Sequence, residues 1–174
     1  MHSPTPRAPR RPAATRTELD ARLSVELAAA VAAARRRALR DGDRQVDTAH
    51  LLHSLIESDP RVRAALGDEA QVARALGYLV QRSIGYGLRW QGSVEDSGAI
   101  PVVRGPETDA AGWSPSAVAA MDGAMERADL RGEARAGGID LLDALASDPG
   151  CRAVEVLRRA GVDVALPGRR TSAE

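Results

Sequence analysis

The sequence predicts an all-α protein made of two pseudo-symmetric helical bundles, and three observations carry that prediction. Its 44% apolar content is supplied almost wholly by Ala, Leu and Val, with two Trp, two Tyr and no Phe. Ala and Leu favour helices, whereas the aromatic residues that favour sheets are scarce. Apolar residues recur at helical spacing through most of the chain, and the pattern returns about 90 residues later.

Residues 1–16 hold four prolines, four arginines and no acidic group. They bury too little apolar surface to offset the entropy of ordering, so a disordered tail is expected. The functional alternative is an arm that follows nucleic-acid phosphates, which would make the chain a nucleic-acid-associated regulator. From Thr17, the residues Leu19, Leu23, Leu27 and Val31 recur every four positions, and Ala34 and Ala38 continue the stripe. This predicts one helix stopping at Gly42, with Arg35, Arg36, Arg37 and Arg40 at the negative end of its dipole. Asp47 or Thr48 caps a second helix bearing Leu51, Leu52, Leu55 and Ile56. A short helix near Arg61–Leu66 and a longer one near Asp68–Ser83 come next, the latter setting Val72, Ala75, Leu76, Leu79 and Val80 on one face.

Residues 85–112 lose periodicity and gather glycines with Pro101 and Pro106. They read as a linker with room for a short hairpin between 88–90 and 100–103, where Pro101 would confine its strand to an edge. Helices resume at Ser114-Pro115, an N-cap followed by Pro at the first helical position. They run to Gly132, restart near Ile139, pause at Asp148-Pro149-Gly150 and continue from Cys151 to about Ala160. The expected organisation is a tail (1–16), a first repeat (17–84), a linker (85–112), a second repeat (113–166) and a short disordered tail (167–174).

A shift of 90 positions brings Leu23-Ser24 onto Trp113-Ser114 and Val31 onto Met121. It also lays Ala34, Ala38 and Gly42 on Ala124, Ala128 and Gly132, and Leu51, Leu52 and Leu55 on Leu141, Leu142 and Leu145. One residue less of offset lays Ser58-Asp59-Pro60 on Ser147-Asp148-Pro149. These are helix caps, close-packing alanines, a C-terminal glycine and a leucine stripe, which are the positions that packing dictates.

Several function classes fall away. A formal charge of zero gives no electrostatic case for nucleic acid or a membrane surface. All 24 basic residues are Arg, which excludes a Lys Schiff base, a Lys general base and a standard P-loop. The lone Cys151 excludes an internal disulfide and reads as a packing residue. No stretch approaches the ~20 apolar residues of a membrane span, and the N-terminus lacks the apolar core of a secretory signal, so a cytoplasmic protein is expected. His50, His53 and Glu57 share a helical side, but the flanking leucines explain that helix as core rather than as a metal site. Gly112-Trp113-Ser114-Pro115-Ser116 lacks the final Gly of a nucleophile elbow, so Ser114 is better read as a cap. No catalytic residue, metal or cofactor is expected.

The repeated segment Gly42-Asp43-Arg44-Gln45-Val46-Asp47-Thr48-Ala49-His50-Leu51-Leu52-His53-Ser54-Leu55, with the closing Ala153-Val154-Glu155-Val156-Leu157-Arg158-Arg159-Ala160-Gly161-Val162-Asp163, resembles the N-terminal domain of the Clp unfoldases. The ClpC type is the nearer likeness, and it covers roughly residues 20–165. In that family the second helix opens on Ile-Gly-Thr-Glu-His-Leu-Leu-Leu-Gly-Leu, and the whole unit occurs twice. The resemblance implies a non-catalytic docking platform for protein or peptide substrates and for Clp components, here as a free-standing adaptor, decoy or ligand-sequestering protein.

The resemblance further implies a phosphoarginine site in each repeat, built from the Thr that starts the first helix and the Thr-Glu that starts the second. Helix N-termini and hydroxyls suit the phosphate, and a carboxylate suits the guanidinium. The matching positions are Ser24, Thr48 and Ala49 in the first repeat and Ser114, Gly138 and Ile139 in the second. The hydroxyls survive but both carboxylates are replaced, which argues against phosphoarginine recognition of the family kind. The family's aromatic residue before the first-helix Thr, near which hydrophobic partners and cyclic-peptide antibiotics bind, matches Leu23 and Trp113. Trp113 could anchor a partner, but a staple fixing its own helix is the favoured reading. His50 matches the family's structural His. The binding candidates are therefore Leu23, Ser24, Thr48, His50, Trp113 and Ser114.

Overall fold

A computed structural model describes residues 16–84, 93–96 and 112–164. Of the tail expected at 1–16, residues 1–15 lie outside the described residues, as do both strands of the expected hairpin, at 88–90 and 100–103, and the tail expected at 167–174; Arg16 belongs to the first helix. Among those described there are eight helices and no strand.

The first helical stripe is broken rather than continuous. Helix α1 spans Arg16–Ala21 and α2 spans Val25–Asp41. Ser24 leaves the helix to cap α2, its hydroxyl accepting from Leu27 N–H at 3.1 Å, while Leu23 forms a bridge with Ala136. Four-residue spacing persists across the short break, so periodicity alone cannot show the interruption. Gly42 closes α2 with φ of 72°, a left-handed conformation that costs a glycine least.

Helix α3 (Thr48–Ser58) is capped by Asp47, α4 (Pro60–Leu66) by Asp59 and α5 (Glu69–Ser83) by Asp68. The stripe predicted on α5 holds in part: Ala75 and Leu79 are buried, whereas Val80 is exposed. In the second half, α6 (Pro115–Leu130) follows the Ser114 cap, α7 (Gly138–Ala146) follows Gly137, and α8 (Arg152–Arg159) follows Cys151. Gly132 closes the first of these turns at φ of 73°, the counterpart of Gly42.

The duplication is visible in the backbone. Ser24 N–H donates to Ala136 O at 2.8 Å, and Ala136 N–H donates to Arg22 O at 2.8 Å. Adding 90 to each first-repeat number and subtracting 90 from each second-repeat number gives the other pair. There, Ser114 N–H donates to Val46 O at 2.9 Å, and Val46 N–H donates to Gly112 O at 2.6 Å. The start of each repeat's first long helix is thus stitched to the start of the other repeat's second. Helix α8 packs on α3 and α4 packs on α7 in the same crosswise manner. One leucine-rich core results, with Leu51, Leu52 and Leu55 and their counterparts Leu141, Leu142 and Leu145 all buried. Burying each such side chain contributes about 2 kcal/mol. Ala34, Ala38, Ala124 and Ala128, also buried, let the helices approach closely. No described helix is long and apolar enough to cross a membrane.

Candidate functional site

The crosswise stitching brings helix N-termini from both repeats to one point. Thr48 is the first residue of α3, Ser114 caps α6, and Arg152 opens α8. Between them lies the carboxylate of Glu95, only 4% exposed. Thr48 N–H donates to Glu95 Oε1 at 2.9 Å, and the Thr48 hydroxyl donates to Oε2. The Ser114 hydroxyl donates to Oε1 at 2.8 Å, and Arg152 N–H donates to Oε2 at 2.7 Å. Four donors from three helix starts therefore hold one buried carboxylate, where the helix dipoles favour negative charge. Thr48 Oγ1 also accepts from Ala153 N–H at 3.0 Å, and Ser114 Oγ accepts from Ala117 N–H at 3.1 Å, so neither hydroxyl is idle.

The related position in the other half also faces an acid, held differently. Thr48 corresponds to Gly138, the first residue of α7. A Cβ at Gly138 would lie 2.3 Å from Asp59 Oδ2, so the Asp59 carboxylate occupies the space a side chain would need. Asp59 is 5% exposed; its Oδ1 accepts from Arg61 N–H at 2.9 Å. Its Oδ2 is buried with no hydrogen-bond partner among the described residues. Each second-helix start thus faces a carboxylate of the chain itself: Glu95 at α3 and Asp59 at α7.

Beside the Glu95 cradle runs a buried ionic network. Asp47, 1% exposed, accepts from His50 N–H at 3.0 Å, from Arg82 Nη1 at 2.9 Å and from Arg152 Nη1 at 2.8 Å. Burial alone would raise this carboxyl, but His50 and Arg82 outweigh it and hold it well below the usual carboxylate range. Arg152 Nη2 also donates to Ser93 O at 3.1 Å and to Ser93 Oγ at 2.8 Å, so one arginine grips the Glu95 segment by side chain and backbone. His50 completes the α3 capping box: Nδ1 accepts from Asp47 N–H at 3.0 Å while Nε2–H donates to Asp43 Oδ2 at 2.8 Å. Asp41, Asp43 and His50 are close enough together to share a cation. Arg82 brings positive charge to Asp43 there, and the Ser83 hydroxyl donates to Asp41.

The six residues singled out from the sequence are dispersed in an instructive way. Thr48 and Ser114 meet through Glu95, although they come from different repeats. Ser24 and Leu23 sit at the opposite stitch beside Ala136, so grouping Ser24 with Thr48 by repeat does not match the geometry. His50 serves its own helix cap. Leu23 is 1% exposed and Trp113 is 8% exposed. Trp113 lies 5.3 Å under the Arg35 guanidinium, and its bridge partner is Val46, so it fastens one repeat to the other. It also walls a cleft of about 260 Å³ lined with Arg35, Leu39, Asp43, Arg44 and Val46. Glu95, Asp59 and Arg152 were missed by sequence reasoning. One of four acids in a glycine-rich stretch, and an acid before Pro60 that registers with Asp148, carry no pattern that marks them.

Comparison with known proteins supports the fold. No protein-family model matches the chain, and no curated protein matches it. Among solved structures, the chain is similar to the N-terminal domain of the caseinolytic protease associated chaperone ClpD from Arabidopsis thaliana. The TM-score is 0.59 at 23% identity, covering 84% of this chain and 89% of that one. The chain has the all-helical fold of a Clp N-terminal domain.

Proposed function

We propose that this chain is a non-catalytic protein- and peptide-binding module of the Clp N-terminal type. It acts as an adaptor, decoy or ligand-sequestering protein in cytoplasmic Clp-linked protein quality control. The observation that carries this reading is the crosswise pair of backbone bridges, Leu23 with Ala136 and Val46 with Trp113, within the fold shared with the ClpD domain. The reading differs from the phosphoarginine expectation in one respect. Both second-helix starts already face an acid of the chain, so recognition runs through other surfaces.

The cleft beside Trp113 is the surface best suited to a peptide, a Clp component or a cyclic-peptide small molecule. It combines an aromatic wall, the Arg35 and Arg44 cations, and Leu39, which is 79% exposed at its rim. Apolar anchors next to cations suit amphipathic peptides. The test is capture of purified Clp unfoldase and protease components by the full chain, with Leu39→Glu in parallel. Capture by the wild type, weakened about tenfold or more by Leu39→Glu and unchanged on deleting residues 1–16, is the expected outcome. Failure to capture any Clp component, together with salt-sensitive DNA binding that vanishes with residues 1–16, would replace this reading with the nucleic-acid regulator.

A further inference from the structure

The two stitched junctions are related by the shift of 90, yet the surfaces beside them do not match. Beside Trp113, the cleft is lined by Arg35, Leu39, Asp43, Arg44 and Gly112. Adding 90 to the first-repeat numbers and subtracting 90 from the second-repeat ones gives Met125, Asp129, Glu133, Ala134 and Arg22, with Leu23 in place of Trp113. That counterpart is spanned by an ion pair: Arg22 Nη2 donates to both oxygens of Asp129 at 2.7 Å. Its other acid, Glu133, accepts from Arg131 Nη2 at 2.8 Å. At Trp113 the spanning pair is missing, because Gly112 stands for the arginine and Leu39 for its acid. Leu39 is left 79% exposed at the rim.

The charge on the unspanned cleft has one sign. Arg35 lies 5.3 Å from the Trp113 ring centre, and Arg44 is exposed on the wall with no ionic partner among the described residues. Arg36, exposed and three residues before Leu39 on α2, adds a cation on the same side of the rim. Asp43 is the one acid on the wall among the described residues, and its Oδ2 already accepts from His50 Nε2–H at 2.8 Å and from Arg82 Nη2 at 3.3 Å. A peptide carboxylate arriving here meets cations, whereas a peptide lysine or arginine meets like charge. The cleft's 260 Å³ or so lies below the roughly 300 Å³ at which sites enclosing a whole small ligand begin, so it admits one apolar side chain and leaves its neighbours at the rim. We propose that the Trp113 cleft reads charge: it selects, once per chain, a peptide segment in which an apolar side chain is flanked by glutamate or aspartate. This rests on the docking role proposed for the same cleft, and adds the sign of the partner's charge and the number of sites.

The test uses the full chain and three fluorescent peptides, blocked at both ends, that share one leucine and differ only in its flanking pair: glutamate, glutamine or lysine. At low salt the glutamate peptide should bind about tenfold more tightly than the glutamine peptide, and the lysine peptide more weakly than either. Arg44→Glu should cut the glutamate peptide's advantage by about threefold or more. Adding Arg35→Glu should invert the order in favour of lysine. Arg44 is exposed, so its single variant keeps the test alive if the double variant does not fold. Amide shifts should report one site, at Leu39, Val46 and Trp113, with Leu23, Asp129 and Ala136 unmoved. Equal affinity for the three peptides, or an order that no folded variant changes, overturns the charge reading while leaving the docking role in place. Saturable shifts at Leu23, Asp129 and Ala136 overturn the single site. Binding of none of the three overturns the inference as well, and the docking role is then judged separately, by capture of Clp components.

Discussion

Replacing Asp47 with Asn should be among the costliest single-atom changes in the protein. The side chain keeps its shape and the Oδ1 that caps α3, but the charge facing Arg82 and Arg152 disappears. Those guanidinium groups are only 15% and 10% exposed. Removing one partner of a buried ion pair costs about 3–5 kcal/mol, because the cation is left uncompensated. Arg82 keeps Asp43 at 3.3 Å and Arg152 keeps Ser93, which places the expected loss near the lower end, about 3 kcal/mol. Asp47→Ala should lose about 1 kcal/mol more, for the cap. Asp140→Asn is the internal control, since its partner Arg131 is 47% exposed and screening holds such pairs to about 1 kcal/mol. Urea unfolding at neutral pH measures all three through the midpoint at constant slope. The folded Asp47 carboxyl titrates below its unfolded value, so the stability it supplies is present above about pH 4 and fades below it. The gap between wild type and Asp47→Asn should close as acid is added. A loss under about 1 kcal/mol, or no greater than that of Asp140→Asn, would refute the claim that this network is desolvated and tight.

Three further outcomes are expected. Burial first, and then repulsion from Arg37, lower His53 to about 4. Between about pH 6.5 and 4 the unfolded chain therefore takes up a proton that the folded chain refuses, and stability falls with pH. The loss should be about 1–2 kcal/mol once screening near the half-exposed Glu57 is allowed for, and His53→Asn should flatten the slope; a slope unchanged in that variant would contradict this. Burial pushes the Cys151 thiol up to about 11, and the residue is 2% exposed. A disulfide reagent should label it at least about 100-fold more slowly in the native protein than in urea, and comparable rates would show the site to be open. Gly138→Ala should cost about 1–3 kcal/mol because its Cβ meets Asp59 Oδ2. Much of that cost should vanish in an Asp59→Ala background, and strict additivity of the two changes would place Asp59 elsewhere.

Most of the fold was legible because it is written in local terms. Asp47 and Ser114 are caps marked by residue type and by the helical pattern that begins directly after each, and Gly42 and Gly132 announce helix ends. The repeat is carried by these residues and by the leucines between them. The join between one half and the other was not legible. Leu23 keeps helical spacing with Leu19 and Leu27 yet leaves the helix to pair with Ala136, because the stitch is made by backbone groups with no sequence signature. Val80 fits the apolar stripe of α5 but faces solvent. The hydroxyls of Thr48 and Ser114 were identified, but the partner that unites them is 47 and 19 residues away in the chain, in a segment without periodicity. That positions 49 and 139 lack the acids of the family it resembles was plain from the sequence. That the chain supplies acids from Glu95 and Asp59 to the α3 and α7 starts needed three dimensions.

The central claim is that those two starts are filled by the chain itself. Titrating the wild-type full chain with free phosphoarginine, while following the amides of Thr48, Ser114, Gly138 and Arg152, puts this to a direct test. No saturable shift at any of the four is the predicted result. Saturable shifts at Thr48 and Ser114, or at Gly138, would mean that the carboxylates yield freely and that the chain reads the modified arginine after all.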